Sequence, residues 1–261
     1  MRTAGRVAGR ALEGIGVRAL YPLSILAGLV VWELWARELP RAVLAPPSVV
    51  LVRLVKDVAS AELPLAFARS LGHLVLGYGL AVLAAVPLGF LMGRSPTVFH
   101  ALDPVINAIY AVPPVAFVPF LIIWFGLFFP ARVALVFLMC FFEVLVTVTA
   151  GVRDVNPGLI DVGRSFGARQ RALIGKVVFP AALPFLFAAL RIGLVRGVNA
   201  MITAELFFAA ANLGGLMKQS ASNFDTAGLL GVIVVLSGFG LVAQESLKVL
   251  EARLLPWHIR R

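Results

Sequence analysis

Apolar runs of membrane-spanning length, parted by short polar interruptions, make up most of this sequence. A helix that crosses the hydrocarbon core needs about 20 consecutive apolar residues. Six runs meet that requirement, at about 19–36, 70–93, 104–127, 131–151, 180–204 and 227–250. Trp32 and Trp35 stand at the far end of the first run as interfacial anchors. Between the first two runs, residues 37–68 are mixed in charge, and Pro46-Pro47-Ser48 opens an amphipathic helix there. Its Val49, Val52, Leu54 and Val55 alternate with Arg53, Lys56 and Asp57, which predicts a helix lying along the outer surface. Gly93-Arg94-Ser95-Pro96 predicts an inner-side turn after the second run. Asp103-Pro104 reads as the cap and first turn of the third, which Pro113, Pro114 and Pro119 interrupt. Broken helices survive at membrane depth only where protein or an aqueous cavity satisfies the freed carbonyls, so this run is expected to line a pathway. A polar loop with Gly214-Gly215, about 205–226, joins the last two runs.

The longest interruption in the second half, 152–180, cannot sit in hydrocarbon. It sets Arg153, Arg164, Arg169, Arg171 and Lys176 against only Asp154 and Asp161. Asn156 suits an N-cap, and Pro157 suits the first helical position, where its missing N–H would be unpaired anyway. Leu159, Val162 (or Gly163) and Phe166 recur at helical spacing, and Gly167 permits a sharp turn into a second short helix running toward Pro180. Small residues at 163 and 167 would let a partner approach closely. The segment is either a docking hairpin or an amphipathic connector on the bilayer surface.

Composition narrows the class. Of 261 residues 61% are hydrophobic and 14% charged, which makes an all-α polytopic membrane protein. The net charge of +10 does not signal nucleic acid, because the arginines flank apolar runs instead of forming a basic face interleaved with stacking aromatics. With the N-terminus inside, 14 of the 23 cations fall on the inner side, seven outside and two within spans. That asymmetry predicts cytoplasmic termini and a cytoplasmic 152–180 loop. The plan is a tail at 1–18, a first transmembrane helix at 19–36, a periplasmic amphipathic segment at 37–68, a five-helix core at 69–251 and a tail at 252–261. The basic N-terminus precedes no small-residue cleavage signal, so the first helix is expected to be retained. Cys140 is the single cysteine, which excludes an intrachain disulfide or a cysteine metal site, and His73, His100 and His258 are scattered. There is no phosphate-cradling glycine loop, since Gly175-Lys176 is followed by valine.

Charges inside spans are the candidate chemistry. Arg196, Asn199 and Thr203 share a helix face at i, i+3 and i+7. An arginine at membrane depth costs about 2.5–3.5 kcal/mol on insertion scales and normally faces a bundle interior or aqueous cavity. Arg196 either lines a path and attracts an anion, or pairs with a carboxylate or helix carbonyls; the pairing reading weighs more for Arg191. Glu143 either pairs with one of these arginines, the favoured reading, or contacts substrate. Gly72, Gly77 and Gly89 are expected to be close helix-packing sites.

The 152–180 loop resembles the cytoplasmic loop of ABC importer permeases, in which Glu-Ala-Ala is followed at fixed spacing by Gly and a terminal Leu-Pro. Here Asp161-Val162-Gly163, Gly167 and Phe179-Pro180 occupy that register. Ser70-Leu71, Pro87-Leu88-Gly89, Val112-Pro113, Trp124-Phe125-Gly126, Leu190-Arg191 and Ala204-Glu205 extend the likeness to the nitrate, sulfonate and taurine permeases across almost the whole chain. Glu143 stands where those relatives have proline, and Phe207-Phe208-Ala209-Ala210-Ala211 replaces a small Gly/Ser-rich stretch.

The resemblance implies the type I importer permease fold, with six transmembrane helices and a cytoplasmic coupling-helix loop, in a bacterial inner membrane. It implies that Leu159, Asp161, Val162, Gly163, Ser165, Phe166 and Gly167 dock on a separate ATPase dimer that binds ATP and Mg. It further implies a second permease copy in a homodimer, a periplasmic or lipid-anchored solute-binding protein, and a small anionic cargo. Pro113, Pro114, Glu143, Arg196, Asn199 and Thr203 are the pathway candidates. Two other readings compete. An ion-coupled secondary transporter calls for pseudo-symmetric halves, and no internal repeat is evident. An intramembrane enzyme calls for clustered His, Asp or Glu, which here are dispersed.

Overall fold

A computed structural model describes residues 20, 22–208 and 211–255. The tail cations Arg2, Arg6, Arg10, Arg18, Arg260 and Arg261, together with His258, Ala209, Ala210 and the first residue of the predicted 19–36 span, lie outside the described residues. All regular structure among the described residues is helical: α1 (22–37), α2 (Pro47–Ala59), α3 (Glu62–Arg94), α4 (Pro96–Tyr110), a single-turn Pro114–Phe117, α5 (Val118–Phe125), α6 (Phe129–Arg153), α7 (Pro157–Ser165), α8 (Gln170–Leu173), α9 (Phe179–Phe207), α10 (Asn212–Ser222) and α11 (Thr226–Leu254). Four helical stretches are long and apolar enough to cross a membrane among the described residues, and α4 with α5 makes a fifth that is bent.

The core is three helices deep. α3 and α6 run parallel, since Gly77 meets Val133 and Val136, Gly89 meets Val148, and Gly93 meets Val152. α9 runs antiparallel to both: Gly193 lies against Val144, Gly197 against Cys140 and Leu74, and the Tyr78 hydroxyl donates to the Leu190 carbonyl at 2.9 Å. Lipid tails are as apolar as leucine, so burial alone does not drive these helices together; small residues that admit close backbone contact do. A Cβ on Gly89 would lie 2.8 Å from Val148, and one on Gly93 would lie 2.6 Å from Val152. Gly77 and Gly89 are therefore packing sites, as expected. Gly72 is not, its nearest neighbour being the Phe129 ring at an ordinary 3.8 Å.

Four boundaries depart from the sequence reading. The second span begins at Glu62, not about 70, because Leu63 and Ala66 extend its buried face and only Ser60 and Ala61, the latter at φ +60°, separate it from α2. The third predicted span is two helices at 86°. Asp103-Pro104 does not open it: Ser95-Pro96 supplies the same cap-and-proline signal earlier, and the Ser95 hydroxyl accepts the Val98 N–H at 3.3 Å. The second half of the 152–180 loop is the start of a continuous helix from Gln170 to Phe207. A π-helical turn at Ile174–Val178 lets that helix pass Pro180, whose ring and missing N–H a regular turn would not accommodate. The predicted 205–226 loop holds α10.

α10 is tied down by a buried carboxylate. Glu205 on α9 accepts the Ser70 hydroxyl of α3 at 2.6 Å, the Asn212 amide at 3.0 Å and the Gly214 backbone N–H at 2.8 Å. His73 Nε2 lies 3.2 Å from the same carboxylate, and the Leu213 N–H reaches the Ser70 oxygen at 3.4 Å. Gly214 is compelled here, because a Cβ would meet that of Glu205 at 2.5 Å. At the same end Asp225 caps α11 through the Gly228 N–H and pairs with Arg53 at 3.1 Å, which fastens amphipathic α2 to the start of α11.

Two stability outcomes follow from this packing. Gly89→Ala should destabilise the detergent-purified protein by about 1–3 kcal/mol through overpacking, whereas Gly79→Ala, on the same helix with nothing within 4 Å, should be neutral or slightly stabilising. Glu205→Ala strands its three donors and should cost roughly 3–5 kcal/mol, as removal of one member of a buried charged network does. Glu205→Gln, which keeps an acceptor, should cost less. Thermal unfolding of the four variants side by side checks both orderings.

Candidate translocation site and docking helix

The break between α4 and α5 creates the site at mid-depth. Val112-Pro113-Pro114 cannot continue a helix, because each proline lacks a backbone donor and restricts the residue before it. The chain turns through the Pro114–Phe117 turn and leaves a cavity of about 230 Å³. Ile109, Tyr110 and Pro114 wall it on one side, and Met139, Phe142, Glu143 and Arg196 on the other. Glu143 lies near the middle of α6 and Arg196 near the middle of α9, so both charges sit at membrane depth.

These charges meet. Arg196 Nε is 3.4 Å from Glu143 Oε1, and the Tyr110 hydroxyl donates to Glu143 Oε2 at 2.7 Å. The carboxylate is largely enclosed, with its side chain 14% exposed, while the guanidinium is half open at 51%. The Arg196 guanidinium makes no side-chain hydrogen bond with another described residue, so the cation is compensated in charge while its donors stay open. Of the two readings open for Glu143, the pair with an intramembrane arginine is the arrangement found. Arg191 is likewise paired, its Nη1 hydrogen-bonded to Glu251 of α11.

The other pathway candidates divide. Pro114 lines the cavity, and Pro113 is exposed beside it. Asn199 and Thr203 follow Arg196 along α9 without forming its walls; the Thr203 hydroxyl turns back on the Asn199 carbonyl at 2.8 Å. Two groups central to the interior were missed by sequence reasoning. Tyr110 is one of only three tyrosines and lies in an apolar run, a faint signal. The Ser70–Glu205–Asn212 knot joins residues up to 142 positions apart, which no local pattern links. His73 belongs to this knot and His100 is exposed against Phe99, so neither contributes to a metal cluster among the described residues.

At the opposite end from α2 and α10, α7 forms as its caps predict. The Asn156 side chain accepts the Gly158 N–H at 2.8 Å, with Pro157 at the first position. Ile160 is buried in the core with Val155 and Val178, anchoring one face. Leu159, Val162 and Phe166 point away, with Phe166 87% exposed. Asp161 pairs with Arg164 at 3.2 Å, and the Ser165 hydroxyl is taken by the Asp161 carbonyl at 3.0 Å. The two glycines serve the chain itself. Gly163 faces Leu173, where a Cβ would stand 2.6 Å from its methyl, and Gly167 adopts φ +74°, which closes the turn between α7 and α8. Gly163 is thus small for a contact within the chain, whatever approaches its open side.

Comparison with known proteins agrees with this architecture. The chain is 34% identical over 220 residues, 82% of its length, to the taurine transport system permease protein TauC of Escherichia coli (strain K12), and covers 80% of it. It is 27% identical over 251 residues to the putative aliphatic sulfonates transport permease protein SsuC of Bacillus subtilis (strain 168), covering 95% of this chain and 90% of that one. In fold it is similar to an inward-facing structure of the MetNI methionine ABC transporter, with a TM-score of 0.63 at 19% identity over 71% of this chain and 94% of the other. Residues 85–256 match the family described as the binding-protein-dependent transport system inner membrane component. With this match and the all-helical, type I importer architecture, the chain belongs to the permease subunits of ABC importers, multi-span transport components and not enzymes.

Proposed function

We propose that this permease passes a small solute bearing an oxyanion, of the sulfonate, taurine or nitrate kind, from an extracytoplasmic binding protein into the cytoplasm by alternating access. α7 is the coupling helix, with Leu159, Val162 and Phe166 as its contact ridge. It seats on a separate ATPase that binds ATP and Mg, and a second copy of the permease completes a homodimer. Both termini and α7 are cytoplasmic, and the membrane is the bacterial inner membrane. Closure of the ATPase dimer moves α7, and the movement reaches the cavity because α7 is joined directly to α6, which carries Glu143, and through α8 to α9, which carries Arg196. The permease contributes no covalent chemistry; its two conformations differ in their affinity for the solute.

One observation carries this reading. An apolar ridge stands exposed on a short helix of a basic hairpin, held rigidly by Ile160 and the Gly163–Leu173 contact. A surface-lying connector would need no such anchoring. The resemblance to taurine and sulfonate permeases supports the oxyanion class, as does the half-open guanidinium of Arg196.

Because Phe166 makes so little contact within the chain, Phe166→Ala should leave the melting temperature within about 2 °C, as for an ordinary surface change. It should lower both ATPase co-purification and ATP-driven uptake by at least about tenfold, the loss of a hot-spot aromatic worth about 1.4 kcal/mol or more. Full uptake with Phe166 removed would take the ridge out of the ATPase contact. Arg196→Gln should abolish uptake while the ATPase remains bound; unchanged uptake would take Arg196 out of the pathway.

A further inference from the structure

The end of the bundle that holds α2 carries a cavity that the transport reading does not use. We propose that this cavity, between α2 and the start of α11, binds the headgroup of an anionic phospholipid whose acyl chains lie along α2. The proposal needs only that the chain spans the membrane, and it is independent of what the permease carries.

The cavity is about 320 Å³, and its lining sets Arg41, Arg53 and Lys56 against a single carboxylate, Asp225. Arg53 is already engaged: it pairs with Asp57 at 2.9 Å and with Asp225 at 3.1 Å. Asp225 also accepts the Gly228 N–H at 3.0 Å. The side chains of Arg41 and Lys56 are in exposed positions and form no ion pair among the described residues. Two cations without a counter-charge therefore line one recess, and an oxyanion that meets both is the ligand they fit. The recess is fixed in shape, because the Thr226 hydroxyl donates to the Arg41 carbonyl at 2.5 Å and Arg53 joins α2 to the start of α11.

Depth and apolar surface make that oxyanion a lipid phosphate. α1 ends at 37, α3 begins at Glu62 and α11 begins at Thr226, so the cavity lies level with the span ends, where headgroups sit. α2 buries Val50 and packs Leu54 against the core, yet Leu51, Val55 and Val58 on an adjoining side are each at least half exposed. Val52 lies on the cavity wall one turn from Val55 and joins the two surfaces. An apolar helix face beside a basic recess suits an amphiphile held at the interface. Acidic side chains of a soluble partner would meet the cations but leave that apolar face in water. Phe224 adds an aromatic wall: it is 73% exposed, and its backbone is left-handed at φ +54°. A bulky residue held in that conformation is strained, and such strain clusters at ligand contacts.

The test uses the full-length permease with its ATPase, stripped of lipid in detergent and then given phosphatidylglycerol or phosphatidylcholine of the same chain length. Native mass spectrometry counts the lipids retained, and thermal unfolding reads the stabilisation they bring. Wild type should retain phosphatidylglycerol at least about tenfold more tightly than phosphatidylcholine. Arg41→Gln combined with Lys56→Gln should lose most of that preference, since each cation near an anionic headgroup contributes about fivefold. Arg69→Gln combined with Lys218→Gln removes two exposed cations from the same end but outside the cavity, and should keep the preference. Phe224→Gly removes the ring and relieves the backbone strain, so it should weaken phosphatidylglycerol retention without lowering the melting temperature in detergent. All these positions are exposed, and melting curves without lipid verify the fold. Equal retention of the two lipids by wild type overturns the proposal, as does equal loss in the two double variants. Displacement of phosphatidylglycerol by excess inorganic phosphate overturns it too. If the Arg41 and Lys56 variant loses its binding protein while keeping phosphatidylglycerol, the face is a protein-docking surface and the proposal fails.

Discussion

A charge enters hydrocarbon only if its compensation travels with it, and much of this molecule's interior follows from that constraint. Glu143 and Arg196 link α6 to α9, Arg191 and Glu251 link α9 to α11, and the Glu205 carboxylate gathers Ser70, Asn212 and Gly214 from α3 and α10. Each charge taken alone would oppose insertion. Paired, each becomes a directional contact in a medium where apolar burial gives little preference for one helix arrangement over another. α9 takes part in all three and is the element around which the other helices are indexed.

Close backbone approach supplies the second half of the order. Gly77, Gly89 and Gly93 on α3 receive the valines of α6, while Gly193 and Gly197 on α9 receive Val144 and Cys140. Such contacts admit little sliding, since a shift of one residue would drive a branched side chain into a backbone. The three core helices thus behave as a block, and the parts free to change lie at its margins. These are the bent α4–α5 pair beside the cavity and the α7 hairpin at the end of α6.

The π-helical turn before Pro180 belongs to the same logic. It lies just before the proline, where the regular hydrogen-bond ladder loses a donor. With it, α8 and α9 form one continuous rod of 38 residues from the hairpin to α10.

The membrane class, the fourth, fifth and sixth spans, the amphipathic α2 and the Asn156-Pro157 start of α7 were legible in the sequence, because each depends on local periodicity or on a cap a few residues long. The apolar ridge of Leu159, Val162 and Phe166 was legible for the same reason, and Asp161, Ser165 and Gly167 fell on that hairpin as the resemblance implied. What only the tertiary structure decided is long-range. It decided that Glu143 meets Arg196 and not Arg191, that Tyr110 joins them, and that Asn199 and Thr203 do not line that cavity. It gave Glu205 its partners more than a hundred residues away, and it turned Gly163 inward to Leu173. Helical spacing reports which residues share a face but is silent on what that face meets, because the meeting depends on how separate helices pack and at what depth their charges are brought level.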